Sequence, residues 1–208
     1  MLDVHVLTMD YTDPDIHQQC RQSIELAAAR AGYEVRVHYV PGIYGHLGAA
    51  RRRGYSLGNA RYVTHVDDDD YVHPDAFSCL APLLRRGVQA ITTGESLVVN
   101  GCIVEHRPSN RHHLAVFDRE AVRAQPYDRF RLLPDQFLLR QIPAVHISEC
   151  VYYHRVDPES GSRRCRRERS ELEREELTML AQPELVAIEA LSASQIQALY
   201  DKYVDETP

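Results

Sequence analysis

Apolar and polar positions along this chain change period several times, and each change marks an element. Val4-His5-Val6-Leu7-Thr8 is a short β-branched run that stops at the turn formers Asp10-Tyr11-Thr12-Asp13-Pro14, which predicts a strand followed by a loop. From Asp15 to Ala31 apolar residues fall at helical spacing (Ile16, Cys20, Ile24, Ala27), and Gly32 stands where a C-terminal cap is expected. Glu34 to Val40 alternates as a second strand. Strand, helix and strand in such close succession is the signature of a βαβ unit, and so of an α/β fold with parallel strands.

The rest of the chain continues in kind. Leu47 to Leu57 reads as a helix after the Pro41-Gly42 turn, and Tyr62 to Val66 as a strand running straight into Asp67-Asp68-Asp69-Asp70. A helix is expected over Asp75 to Arg86, beginning after Pro74, and a strand over Gln89 to Thr93. Leu97 to Val99 and Cys102 to Glu105, joined by Asn100-Gly101, form a hairpin signal. His113 to Phe117 reads as a strand, Arg119 to Ala124 and Asp135 to Gln141 as helices, and Val145 to His154 as a closing strand. Beyond Arg163 the pattern thins: Glu and Arg dominate to Glu176, with Leu172, Leu177 and Leu180 as a sparse apolar stripe. Pro183 interrupts it, and Glu184 to Tyr203 reads as a second helical segment containing the cap-like Ser192-Ala193-Ser194. The expected division is a globular unit over 1–162 and a helical extension over 163–208, which would cover a sheet edge or make a homodimer.

Composition narrows the class. With 208 residues, 44% of them hydrophobic and 26% charged, the chain can bury a full core. It has no run of about 18 apolar residues that could span a bilayer. Asp3, His5 and Asp10 occupy the stretch where a signal peptide would need an apolar core, so a cytoplasmic protein is expected. The cysteines, Cys20, Cys79, Cys102, Cys150 and Cys165, include no CxxC pair and suggest reduced thiols. The net charge of −6 argues against whole-molecule attraction to nucleic acid, leaving Arg51-Arg52-Arg53 and Arg163 to Arg169 as local basic patches.

The acidic run carries the chemistry. Four adjacent carboxylates repel one another, and burying one unpaired is expensive, so a divalent cation is the natural partner. Mg²⁺ and Mn²⁺ both accept carboxylate oxygens, and magnesium commonly adds phosphate oxygens. The run also follows an apolar strand of an α/β pattern, and ligands gather beyond the carboxyl ends of such strands.

With that run in place, residues 4 to about 162 resemble the inverting family-two glycosyltransferases of GT-A fold, which implies a Rossmann-like mixed sheet flanked by helices and here followed by a helical tail. The family's Asp-any-Asp-Asp falls on Asp67 to Asp70, followed by Tyr71-Val72-His73-Pro74-Asp75. Gly48-Ala49-Ala50-Arg51-Arg52-Arg53-Gly54 is similar to its small-residue segment entering a helix, with Arg52 or Arg53 in place of the usual asparagine. Pro134-Asp135-Gln136-Phe137 resembles its acidic pair opening a helix, with a glutamine replacing the second acid. Val151-Tyr152-Tyr153-His154-Arg155 and Ser160-Gly161-Ser162 resemble its closing strand and ending.

The resemblance implies roles. Thr8, Asp10 and Tyr11 would hold the nucleotide's base and ribose, with Arg51 and Arg53 toward the diphosphate or base. Asp69 would be the first ligand of a Mn²⁺ or Mg²⁺ ion, with Asp67 beside it or on the ribose and His154 completing the shell. Asp68 would lie on the nucleotide side as the most replaceable of the four, and Asp70 would support the loop or the acceptor side. Asp135 would be the general base that takes the acceptor's proton. The donor would be a nucleotide-diphosphate sugar, with UDP-glucose the first to try, and the acceptor a glycan or a phage-type hydroxymethylated DNA base. Two other readings stand beside this one. A sugar nucleotidyltransferase would need a Gly-rich loop and lysine after the first strand, and Thr8 to Pro14 has neither. A non-catalytic nucleotide-sugar-binding module would bind the donor without turning it over.

Overall fold

Strand β1 (Leu2–Thr8) is buried along nearly its whole length, because it pairs in parallel with β2 (Val35–Pro41) on one side and β3 (Tyr62–Asp67) on the other. A strand with neighbours on both edges and helices on both faces takes even its polar side chains inside. Asp3 is accordingly clasped by the Ala60 N–H at 2.8 Å, by His38 at 3.1 Å and by Arg119.

In the computed structural model, which describes residues 1–109, 113–156, 166–181, 191–192, 194–198 and 201, helix α1 (Pro14–Arg30) crosses from β1 to β2. It starts where Asp13 accepts the Asp15 N–H at 2.8 Å and proline takes the first helical position, and it buries Cys20, Ile24 and Ala27. Helix α2 (Leu47–Tyr55) leads from β2 to β3. Because β2 and β3 flank β1, the chain reverses its direction of travel across the sheet at β1, and a crevice opens beyond the ends of β1 and β3.

After β3 come β4 (Tyr71–Val72), a 3₁₀ turn at Ser78–Leu80, α3 (Ala81–Arg86), β5 (Ala90–Val99), β6 (Cys102–Arg107) and β7 (Val116–Asp118). There follow α4 (Arg119–Arg123), a second 3₁₀ turn at Tyr127–Arg129, α5 (Pro134–Gln141), β8 (Ala144–Arg155) and α6 (Arg166–Ala181). The strands make one sheet in the order β2-β1-β3-β7-β5-β8-β4, with β6 hairpinned onto β5. It is mixed: β7 runs antiparallel between β3 and β5, β4 antiparallel to β8, and β5 parallel to β8.

Apolar clusters cover both faces. One gathers Leu2, Val4 and Val6 with Cys20, Ile24, Phe77 and Tyr152. The other gathers Tyr55, Val63 and Phe117 with Tyr127, Phe130, Phe137, Leu138 and Leu180, so α6 contributes to the core. A third includes Leu7, Val40, Ala50 and Ile196.

Several expectations shift. The helix expected over Asp75 to Arg86 is a turn, a 3₁₀ turn and the short α3. Pro82 has no N–H to continue a helix from Ser78 and instead takes the start of α3. The strands expected at Gln89 to Thr93 and Leu97 to Val99 are one strand, β5, which shifts register against β8 on both sides of Gly94. A side chain at Gly94 would meet Pro108 and the Ser148 carbonyl, so glycine lets the strands stay paired there. His113 lies outside the strand expected to begin with it, because Leu114 turns the backbone at φ 49° just before β7. Of the tail, Ser160-Gly161-Ser162, the start of the Arg163 to Arg169 patch and most of Glu184 to Tyr203 lie outside the described residues. Among the described residues no helix is long and apolar enough to cross a membrane.

Candidate active site

The four aspartates form a turn at the end of β3, closed by the Asp70 N–H donating to the Asp67 carbonyl at 3.2 Å. Asp68 and Asp70 are buried, while Asp67 and Asp69 are half-buried. Asp68 accepts the Met9 N–H at 2.7 Å and the Thr12 hydroxyl at 3.0 Å, which ties the loop after β1 to the acidic turn. The expectation that Asp68 is the most replaceable of the four does not fit this placement, because both its oxygens bond the loop after β1. Asp70 accepts the Tyr152 hydroxyl and the Arg155 N–H, each at 2.7 Å, and so is tied to β8. The Tyr152 oxygen also accepts the Asp67 N–H at 3.3 Å, and the Cys20 thiol donates to the Asp67 carbonyl at 3.5 Å.

Crowding like charges in a partly dry turn favours their neutral forms. Burial first, and then Asp67 among its other neighbours, pushes the Asp68 carboxyl up to about 6. Burial followed by the charges of Asp67 and Asp68 pushes Asp69 up to about 7. Burial with Asp69 and Asp67 also holds Asp70 well above the usual carboxylate range.

Beside the turn lies a set of donors that the sequence reading caught only in part. His154 on β8 and His113 before β7 sit with Asp70 so that one ligand atom from each lies within 4.8 Å of the others. His154 Nδ1 is 3.1 Å from His113 Nε2. The His113 ring stacks on Tyr152 at 5.0 Å between centroids, and its Nδ1 meets the buried carboxylate of Glu95. A carboxylate only accepts, so Glu95 places the His113 proton on Nδ1 and leaves Nε2 as a lone-pair donor, the arrangement common behind metal-ligating histidines. The expected metal set was Asp69, Asp67 and His154; the structure instead groups His154 with Asp70 and His113. One carboxylate and two imidazoles fit a divalent cation of manganese type better than magnesium, which prefers oxygen throughout.

Asp135 opens α5 and is 7% exposed. The Arg51 guanidinium pairs with its Oδ2 and stands 3.9 Å from Asp67. Asp135 Oδ1 has no hydrogen-bond partner among the described residues. His65 Nε2 stands 4.0 Å from Oδ2, while its Nδ1 meets the Tyr55 hydroxyl at 3.0 Å. Arg51, expected at the diphosphate, is thus buried between two carboxylates. Arg53, two positions along α2 and so on the other side of the helix, is half-buried. Arg52 is paired with Asp128 at 3.2 Å, lying over the Tyr127 ring. Arg51 and Arg52, adjacent in sequence, are thus separate anchors.

Thr8 ends β1 with its hydroxyl on the Val40 carbonyl at 3.3 Å, and the exposed Asp10 and Tyr11 follow in the crevice loop. The Tyr11 ring meets the exposed Tyr44 ring edge-on at 6.4 Å, a partner the sequence reading missed. Tyr44 lies in the turn between β2 and α2, with no periodicity to single it out. His113 likewise carried no signal beyond its residue type.

The family model for glycosyl transferase family 2 matches residues 18–179. No curated protein matches the chain in sequence. Among solved structures, Staphylococcus aureus TarS 1–349 is similar at a TM-score of 0.58 and 13% identity, over 98% of this chain and 70% of that one. The same fragment in complex with UDP-GlcNAc gives a TM-score of 0.57 at 12% identity, over 98% and 71%. A Drosophila β1,4-galactosyltransferase 7 in complex with manganese, UDP-Gal and xylobiose gives 0.51 at 12% identity, over 74% of this chain and 69% of that one. These likenesses concern the fold.

Proposed function

The chain belongs to glycosyl transferase family 2 and has the GT-A fold, and from that membership we propose that it moves a sugar from a nucleotide-diphosphate donor to a hydroxyl acceptor with inversion, aided by a divalent cation. One observation carries the reading: Asp135 stands across from the Asp67–Asp70 turn, joined to it by an arginine that touches both sides.

In this reading the donor lies in the crevice beyond β1 and β3. Its base rests by Tyr11 and Tyr44, with Thr8 and Asp10 beside it and Asp68 holding their loop in place. A UDP-sugar is the donor class to test first, since UDP, UDP-GlcNAc and UDP-Gal are bound by the similar proteins. Asp70, His113 and His154 would hold the cation, with Asp67 and Asp69 on the donor's side of the turn. When bound, a Mn²⁺ ion supplies Lewis-acid neutralisation of the diphosphate leaving group. Arg51 fixes one oxygen of Asp135 and leaves Oδ1 to take the acceptor's proton as its oxygen attacks the anomeric carbon. A single base and attack from the face opposite the leaving group invert the configuration.

The acceptor is a glycan or a hydroxymethylated DNA base, and both belong in the assay. The test is a panel of UDP-sugars with Mn²⁺ and both acceptors. Asp135→Asn is expected to cut transfer by roughly a hundredfold or more while leaving donor binding by calorimetry near wild type. Equal loss of binding and transfer would count against the base assignment.

A further inference from the structure

Helix α6 has so far been only a cover for the sheet, yet it carries a buried carboxylate with unusual partners. Glu176 is 4% exposed. It accepts the N–H groups of Arg131, Leu132 and Leu133, the last at 2.8 Å and Leu132 at 3.0 Å. A buried carboxylate is costly unless its oxygens are paired, and three consecutive backbone donors pair them with charge-assisted bonds. Those residues are the approach to α5, whose cap residue Leu133 offers no side-chain hydrogen bond of its own. Glu176 therefore does from another element, more than 40 residues away, what an N-cap side chain does locally.

We infer that Glu176 is a positioning residue for sugar transfer: by gripping residues 131–133 it sets where Asp135 stands. This rests on the role proposed above for Asp135. Two connections give the grip a reach beyond capping. Leu133 lies two residues before Asp135. The same loop turns its carbonyls the other way, Arg131 accepting the Leu47 N–H at 2.8 Å and Phe130 the Gly48 N–H at 3.0 Å, at the start of α2. Helix α2 carries Arg51, the ion-pair partner of Asp135. Both halves of that pair hang on one loop, so releasing the loop disturbs base and arginine together. Helix α6 is held in turn by Leu180, which packs with Phe137 and Leu138 and whose carbonyl accepts from Arg140 on α5.

The full chain carrying Glu176→Gln tests this. The amide offers one acceptor oxygen and presses its NH₂ against backbone donors. Amide hydrogen exchange at Arg131, Leu132, Leu133, Asp135 and Gln136 is expected to quicken about tenfold or more, as the loop opens locally. Transfer kcat is expected to fall about tenfold to a hundredfold with the donor KM within about twofold, because small misplacement of a base is costly while the donor crevice is untouched. Glu176→Asp, which keeps the charge on a shorter arm, should be intermediate in both and serves if the glutamine variant does not fold. Leu2→Ala, at the far end of β1, lowers Tm without this pattern. The inference is overturned if Glu176→Gln only lowers Tm as Leu2→Ala does, with kcat and loop exchange unmoved. A wild-type chain that transfers no sugar counts against the proposed function alone, since hydrogen exchange still decides whether Glu176 holds the loop.

Discussion

Asp69 shows how much of the site depends on neighbours. Its carboxyl is raised from 3.8 to about 7 by burial and by Asp67 and Asp68. The folded state therefore binds a proton that the unfolded state has already lost above pH 4. The stability tied to that proton is fully present below about pH 3.8 and is lost as pH rises through about 7. Asp69→Asn removes the charge, so in metal-free protein it should raise Tm most at pH 8, less at pH 5, and little below about pH 3.8. A variant less stable than wild type at pH 8 would contradict this. The acidic run and Asp135 were legible because their types and their places at element ends are sequence properties. Arg51 was assigned to the diphosphate because its helix position was legible but its direction was not: only packing of α2 against the 3₁₀ turn Tyr127–Arg129 aims it at Asp135. Glu95 and His113 were illegible for a related reason, since their meeting with His154 depends on the pairing of β5 with β8.

At the scale of elements, α2 is the joint between the two sides of the crevice. A Cβ at Gly48 would lie 2.3 Å from the Phe130 carbonyl and 2.6 Å from that of Tyr127, both backbone atoms that cannot step aside. Gly48→Ala must push α2 off the loop, costing about 1–3 kcal/mol of overpacking. A fall in Tm of roughly 2–10 °C, read by calorimetry, is expected with a matching loss of transfer. An unchanged Tm would mean the loop can yield. The first three strands, α1 and the hairpin were legible from periodicity and turn residues. The two-residue β4 was not, because Tyr71–Val72 is a strand only through its pairing with Tyr152 and Tyr153. Pro82 was visible in the sequence, and weighing its missing N–H would have shortened the expected helix to α3.

For the molecule as a whole, a cation at Asp70, His113 and His154 would offset the charge crowding that the apo fold endures. A ligand at about a hundred times its Kd adds about 2.7 kcal/mol of stability. For a chain of this size that is a rise in Tm of roughly 5–10 °C. Thermal shift with Mn²⁺ at pH 8 should show it, and His113→Ala should remove most of it; a full shift in that variant would move the site back to Asp67 and Asp69. Helix α6 belongs to the same account, because a tail read from sequence as a sparse stripe supplies Leu180 to the core and Glu176 to the loop before Asp135.

Cys20 has no accessible surface and its thiol rests against the Asp67 carbonyl, with burial and the four aspartate charges raising its pKa. An alkylating reagent reaches that sulfur only when α1 parts from the acidic turn. The rate at which Cys20 is modified is therefore a clock for the parting of α1 from the acidic turn, already built into the wild-type chain.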